Sequence, residues 1–257
     1  MPRSSNPQRY SISFGPGPLS QTLKALIGAN VALFFLRIIA ANFGYSNLDY
    51  SLGLTPEIVL GRLWVWQLVT YMFLHADVMH ILFNMLALWM FGTELEHLWG
   101  TRFFLKFYFV TGIGAGVLTT LFSLLPFGFA QSLHHSVVVG ASGAIYGLLL
   151  AYAMYFPDRP NYMYFVFPIP AKIFVIIMGA IAFYSSLSEV GGGVANATHL
   201  GGLLVGYLYL KSMNKGGGSD PLAELKYRYL KWKINRLRKK FDVYSGGRAD
   251  DWDRRVH

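Results

Sequence analysis

The chain has 257 residues, of which 54% are hydrophobic and only 14% are charged, whereas soluble domains carry roughly a quarter charged residues. Apolar segments near the roughly 20-residue length of a membrane-spanning helix recur along it, so the composition indicates a polytopic membrane protein and not a soluble one. The net charge is +9, and the lack of cysteine excludes disulfides, thiolate metal sites and a cysteine nucleophile.

The first 21 residues are polar and rich in Pro, Gly and Ser. They lack the basic and apolar regions of a cleaved signal peptide, so we expect a polar N-terminal tail followed by a retained signal-anchor helix. Six apolar segments between residues 22 and 213 predict an all-α bundle of six membrane-spanning helices. Their approximate bounds are 22–43, 78–98, 103–125, 142–157, 170–188 and 196–213.

Residues 44–77, between the first two spans, are aromatic and amphipathic but broken into short pieces. This pattern predicts a loop that lies in the membrane interface. Trp64 and Trp66 are typical of the aromatic belt found at that depth.

The distribution of cations predicts the orientation. An even number of spans puts both termini on one side, and Lys and Arg gather at the ends that face that side: Arg3, Arg9, Lys24, Arg102, Lys106 and Arg159. Both termini are therefore expected in the cytoplasm. Arg37, near the outer end of span 1, is the exception, and we expect it to snorkel to the interface.

Residues 214–257 form a basic segment, which we expect to be a cytoplasmic tail. Its apolar residues recur at helical spacing from Leu222 to Trp232, which is compatible with an amphipathic helix on anionic lipid or with an exposed charged helix of no specific role. Nucleic-acid binding, the other common use of a basic run, is not favoured in a membrane protein.

Span 4 begins at Ser142 and is unusually short. Its 15 or so residues reach roughly 22 Å, against roughly 30 Å of hydrocarbon, and Asp158 and Arg159 hold its inner end at the cytoplasmic surface. Ser142 is therefore expected below the outer surface, at a helix N-terminus. Free N–H groups and the helix dipole at such an end can stabilise an oxyanion.

Other polar residues are expected at the same depth. His199 lies about one turn into span 6, and His80 and Asn84 share one face of span 2 at its outer end. Polar groups inside spans are costly and are functional candidates by default. A serine needs an adjacent base to become a nucleophile, and histidine is suited to that role.

Two small-xxx-small motifs predict how the helices approach each other. Gly143 and Gly147 lie on span 4, and Gly202 and Gly206 lie on span 6, so close packing would carry Ser142 toward His199. Taken singly, these residues have plainer explanations in helix packing and interhelical hydrogen bonds. Together they favour a serine–histidine site.

Competing chemistries fit poorly. "GASGA" is not the G-x-S-x-G elbow, no H-E-x-x-H motif occurs, and no span carries an aspartate placed for a dyad. The sequence implies no metal and no cofactor. A small channel or transporter with a polar outer cavity is a further alternative, although no internal repeat supports it.

Three motifs resemble those of the rhomboid family of intramembrane serine proteases: "GASGAIYG", "THLGGLLVG" and "HADVMHILFN". The resemblance covers roughly residues 60–210. It implies that Ser142 is the nucleophile, that His199 is the general base without an acid partner, and that His80, Asn84 and the Ser142 N–H hold the oxyanion.

The resemblance also assigns supporting residues. It implies that Tyr146 packs against the base histidine and that Gly140, His75 and Asn196 support the site, with Glu96 and Gly100 fitting the pattern after span 2. The sequence departs from the family at Gln67, where an arginine usually follows tryptophan and contributes to anchoring the loop. It also departs at Thr198, where alanine is frequent.

The resemblance implies a serine endopeptidase of a cell membrane, most simply a bacterial cytoplasmic membrane, whose active site faces the extracytoplasmic side. Its partners would be single-span or polytopic membrane-protein substrates, with anionic lipid at the basic tail. The alternative is an inactive rhomboid-like protein that binds membrane clients without cutting them. The sequence does not indicate an oligomeric state.

Overall fold

The computed structural model describes residues 17–44, 48–126, 128–163, 167–187 and 193–214. In chain order the elements are α1 Gln21–Asn42, α2 Leu48–Leu52, α3 Pro56–Arg62, α4 Gln67–Thr70, a 3-10 helix Tyr71–Phe73, α5 Val78–Trp99, α6 Thr101–Phe122, α7 Gly128–His135, α8 Ser142–Tyr155, β1 Pro160–Met163, β2 Phe167–Pro170, α9 Ala171–Leu187 and α10 Gly193–Asn214.

The chain divides into two compact units, Met1–Leu210 and Lys211–His257. Of the second unit, only Lys211–Asn214 at the end of α10 are described. Most of the predicted N-terminal tail, and nearly all of the basic tail with its amphipathic segment, lie outside the described residues.

Each of the six predicted spans coincides with a helix, which confirms the helical membrane bundle. Helices α1, α5 and α6 have 22 residues each and are long and apolar enough to cross a membrane. Helices α8 and α9 are apolar but shorter, with 14 and 17 residues. Helix α10 begins at Gly193, three residues before the predicted start, so His199 lies nearly two turns into it.

Short-range chemistry determines where the long helices begin and end. The Ser20 hydroxyl caps α1 by accepting a hydrogen bond from the Leu23 N–H at 3.0 Å, and the Asp77 carboxylate caps α5 by accepting one from the His80 N–H at 2.8 Å. Gly100 separates α5 from α6 with φ +76°, a positive value that favours glycine.

The first loop contains α2, α3, α4 and the 3-10 helix, and Gln67 anchors it from within. The fully buried amide of Gln67 donates to the Tyr50 carbonyl at 2.8 Å and accepts from the Thr55 N–H at 3.0 Å. The loop is therefore held without the family arginine at this position. In the same loop, between α3 and α4, Trp64 and Trp66 stack with ring centroids 5.1 Å apart.

Helix α8 occupies the interior of the bundle, and small residues let its neighbours approach. A Cβ at Gly147 would lie 2.7 Å from the Thr111 Cβ of α6, and a Cβ at Gly143 would lie 3.0 Å from the Ala115 Cβ. Ten of its 14 residues are buried, so protein and not lipid surrounds this short helix.

The segment between α8 and α9 contains an unpredicted hairpin in which β1 pairs antiparallel with β2, from Pro160 opposite Pro170 to Met163 opposite Phe167. Two ion pairs lie beside it, Arg159 with Glu94 and Lys172 with Asp158.

Arg37, which is expected to snorkel, has a partner that the sequence did not predict. Its guanidinium forms two hydrogen bonds with the carboxylate of Asp49 on α2, each 2.6 Å long. This fork of two parallel hydrogen bonds satisfies the charge of Arg37 locally.

Candidate active site

Ser142 is the first residue of α8, and its helix end is open to a ligand. The N-cap residue, Ala141, has no side chain that could accept a hydrogen bond from the first turn. The first N–H groups of a helix have no partner within the helix. With 14 residues, α8 is roughly 21 Å long, so its two ends cannot both reach the surfaces of a roughly 30 Å hydrocarbon layer.

His199 lies beside Ser142, although the two residues are 57 positions apart. The distance between the Nε2 of His199 and the Oγ of Ser142 is 2.8 Å, which is a hydrogen bond. The other ring nitrogen, Nδ1, is buried and has no hydrogen-bond partner among the described residues. Within those residues, therefore, no carboxylate orients this imidazole.

The ring of Tyr146 orients His199 by stacking. The two ring centroids are 4.3 Å apart and the planes differ by 5°. Tyr146 lies one helical turn after Ser142 on α8, so the same helix presents both the hydroxyl and the surface on which the imidazole rests. This contact limits rotation of the imidazole about its side-chain bonds.

Glycines bring α8 and α10 together, as their spacing predicts. A Cβ at Gly202 would overlap the carbonyl oxygen of Gly143, and a Cβ at Gly206 would lie 3.2 Å from the Cα of Gly147. The backbones therefore touch directly. This close approach puts His199 within reach of Ser142.

His80 points its Nε2 toward the start of α8. Its Nδ1 accepts a hydrogen bond from the Ala76 N–H at 3.4 Å, which assigns the ring proton to Nε2 in the neutral form. A Cβ at Gly140 would lie 2.7 Å from that Nε2, and Gly140 has φ +126°. Both the space and the backbone conformation therefore require glycine at position 140.

Asn84 lies one turn after His80 on α5. Its side-chain amide donates to the His80 carbonyl at 2.8 Å, which leaves the second amide hydrogen for another acceptor. Asn84 and His80 both line the cavity that contains Ser142 and His199.

The two remaining predicted supporting residues lie at the edge of this arrangement. His75 is fully buried in the loop before α5, with its ring edge-on to His80 at a centroid distance of 5.0 Å. Burial, with a smaller contribution from His80, lowers the pKa of His75 to about 4, so its ring is neutral near pH 7. Asn196 lies one turn before His199 on α10 and is partly buried.

The cavity at Ser142 has a volume of about 420 Å³. Its polar residues gather at one end, and its apolar wall comes mainly from α5 and α9: Phe83, Ala87, Phe91, Phe174 and Met178. Among the described residues, a groove of about 400 Å³ between α6 and α10 is lined by apolar side chains and glycine, which provide no catalytic group. The part of the chain that the structure describes contains no group of three or more potential metal ligands.

Residues 62–214 match the family model of the Rhomboid domain. The chain belongs to the rhomboid family. It is similar to the rhomboid protease GluP of Bacillus subtilis, at 31% identity over 70% of this chain and 32% of that protein. It is also similar to the mitochondrial rhomboid protein 1 of Saccharomyces cerevisiae, at 31% over 72% and 51%, and to the rhomboid protease AarA of Providencia stuartii, at 28% over 76% and 73%.

The chain spans about a third of the length of the first of these rhomboid relatives and about half of the length of the second.

The described structure adds contacts around the site that the sequence analysis did not predict. Asp77 caps α5 and lines the cavity, and Thr198 forms a buried 2.9 Å hydrogen bond with Thr119 next to His199. The cap by Asp77 could have been predicted, since Asp before an apolar helical run is a common N-cap. Nothing in the sequence indicates that Thr119 pairs with Thr198.

Proposed function

We propose that this rhomboid family member is a serine endopeptidase that hydrolyses peptide bonds in or near the transmembrane segments of membrane proteins. The proposal rests mainly on one observation, the 2.8 Å hydrogen bond between Ser142 and His199 at the partly buried N-terminus of α8. Relatives named rhomboid protease support the same reaction class.

In the first step, the Nε2 of His199 accepts the proton of the Ser142 hydroxyl. The Oγ of Ser142 then attacks the scissile carbonyl carbon, and the carbonyl electron pair moves to the oxygen. Tyr146 keeps the imidazole plane in the attacking geometry, a task that a carboxylate performs in serine–histidine–aspartate triads.

The oxyanion forms beside the donors at the start of α8. The N–H of Ser142, the Nε2–H of His80 and the free amide hydrogen of Asn84 are the donors that we assign to it. Removing one such donor commonly costs about 10²–10³ in kcat, because these dipoles are already aligned before charge develops.

The second half of the reaction reverses the proton transfers. His199, now protonated, donates its proton to the leaving amine as the carbon–nitrogen bond breaks and the acyl-enzyme remains on Ser142. A water molecule then attacks the ester carbonyl while His199 takes its proton. The bond between the acyl carbon and the Oγ of Ser142 breaks as His199 returns that proton to Oγ, which frees Ser142 and leaves a new carboxyl terminus on the substrate.

The surroundings of the site support a membrane-embedded substrate. The apolar wall provided by α5 and α9 suits the side chains of a transmembrane segment. Such a segment must expose a peptide bond to Ser142, so helix-weakening residues near the cut should increase the rate. We propose that the termini face the cytoplasm of a bacterium, that the site faces the extracytoplasmic side, and that the basic tail contacts anionic lipid.

Cleavage of a model substrate tests the proposal. The purified protein and its Ser142→Ala form are incubated in detergent with several single-span membrane proteins. Cleavage by the unchanged protein alone supports a serine mechanism. Cleavage by both forms contradicts it, and cleavage by neither favours the inactive, client-binding alternative.

A further inference from the structure

Arg37 lies on α1, well away from Ser142 in sequence, yet its guanidinium reaches the segment that carries His80. Besides its two hydrogen bonds to Asp49, it donates through Nη1 to the carbonyls of His75 and Ala76, at 3.3 and 3.2 Å. The side chain of Arg37 is 26% exposed and that of Asp49 is 34% exposed, so both charges are largely withdrawn from solvent.

The contacts of Arg37 continue to the imidazole of His80. Ala76, whose carbonyl accepts from Arg37, donates its own N–H to the Nδ1 of His80. That bond determines which ring nitrogen carries the proton and which way the Nε2–H points. The position of the Ala76 peptide groups therefore affects the direction of the donor that faces Gly140 and Ser142.

Residues 75 and 76 have no regular structure of their own to hold them. They lie between the 3-10 helix, which ends at Phe73, and α5, which begins at Val78. The Asp77 cap fixes the start of α5 from one side, and the guanidinium of Arg37 holds the two preceding carbonyls from the other.

Only arginine has the donors for this arrangement. Its planar fork satisfies one carboxylate with two parallel hydrogen bonds and still has N–H groups for carbonyls on a different segment. A lysine ammonium at the same position would be a compact point charge and could not reproduce the fork.

We propose that Arg37, held by Asp49, is a positioning residue for catalysis that orients His80 toward the oxyanion through the carbonyls of His75 and Ala76. The inference rests on the proposed protease function, in which His80 is an oxyanion donor. It assigns to α1 a role in the active site, although α1 contributes no side chain to the cavity.

The test is a double-mutant cycle between Arg37 and His80, measured as cleavage of a single-span substrate in detergent. Arg37→Met should lower kcat about 10- to 100-fold with little change in KM, because the misdirected donor acts on the transition state. In a His80→Ala background the same change should cost less than about threefold, because the group that Arg37 positions is gone. Arg37→Lys should recover only part of the loss.

Arg159→Met is the matched control, since Arg159 also pairs with a single carboxylate but lies at the opposite end of α5, beside Glu94. It should change kcat less than about twofold, and equally in both backgrounds. If Arg37→Met does not fold, by its thermal unfolding profile, Arg37→Lys is carried through the same cycle.

Equal losses from Arg37→Met in both backgrounds, or unchanged kcat in a folded variant, would overturn the inference. Failure of the unchanged protein to cleave would instead count against the proposed function, and the inference would fall with it.

Discussion

The imidazole of His199 and the phenol ring of Tyr146 lie parallel, with centroids 4.3 Å apart and planes within 5°. Tyr146 comes from the helix that Ser142 begins, while His199 comes from α10. The stacked pair therefore ties the proposed base to the proposed nucleophile through a second contact, besides their hydrogen bond.

Tyr146→Ala should lower kcat about 10- to 100-fold, because the imidazole loses the surface that fixes its plane and small misplacements of a reacting group are costly. Tyr146→Phe keeps the ring and should retain activity within a few-fold. Steady-state cleavage rates of the two variants, compared at equal folded fraction, provide the check. Equal losses in both variants would mean that the hydroxyl and not the ring matters.

Gly140→Ala should abolish most activity. Its Cβ would lie 2.7 Å from the Nε2 of His80, so the ring must move away from Ser142. Gly100→Ala is the matched control, since Gly100 also has positive φ, +76°, but a Cβ there would meet nothing within 4 Å. Both changes carry a backbone cost of about 1–3 kcal/mol, because a side chain rarely adopts positive φ. Only Gly140→Ala should lower cleavage by the folded enzyme, and a similar loss from Gly100→Ala would contradict the explanation.

Gly202→Ala should separate α10 from α8, because the new Cβ overlaps the Gly143 carbonyl. Overpacking of this kind typically costs about 1–3 kcal/mol of stability. We expect a lower unfolding temperature in detergent and a larger loss of cleavage than the folded fraction explains. Gly28→Ala on α1, where a Cβ meets nothing within 4 Å, should leave the unfolding temperature and the cleavage rate nearly unchanged. A tolerated Gly202→Ala would show that the close helix contact is dispensable.

Acid should destabilise the protein through His75, whose folded-state pKa is lowered to about 4 by burial from an ordinary value of 6.5. The unfolded chain then binds the proton more readily, so this contribution to stability is complete above about pH 6.5 and falls as pH decreases toward 4. His75→Gln should show a smaller decrease in unfolding temperature between pH 7 and pH 5 than the unchanged protein. The same decrease in both would exclude His75 as its source.

Sequence reasoning succeeded where the signal was local or periodic. The lengths of the apolar runs gave the six helices, and the two pairs of glycines gave the contact between α8 and α10. The unusually short span predicted to begin at Ser142 is the 14-residue α8. These features depend on helix geometry alone, so they can be inferred from a single sequence.

Sequence reasoning missed the side-chain contacts that depend on the path of the loops. The amide of Gln67 anchors the first loop by bonding Tyr50 and Thr55, a substitute for arginine that no spacing rule indicates. Arg37 pairs with Asp49 because the chain after α1 turns back and brings α2 close to it. The hairpin of β1 and β2 was missed because short strands with proline at their ends give no clear alternation.

Covalent labelling of Ser142 tests the central claim most directly. The purified protein is treated in detergent with a fluorophosphonate, and the modified residue is mapped by mass spectrometry, together with Ser142→Ala and His199→Ala forms that unfold at the same temperature as the unchanged protein. The proposed dyad predicts labelling at Ser142 only, absent in Ser142→Ala and strongly reduced in His199→Ala. Labelling at another serine, or undiminished labelling of Ser142 without His199, would contradict it.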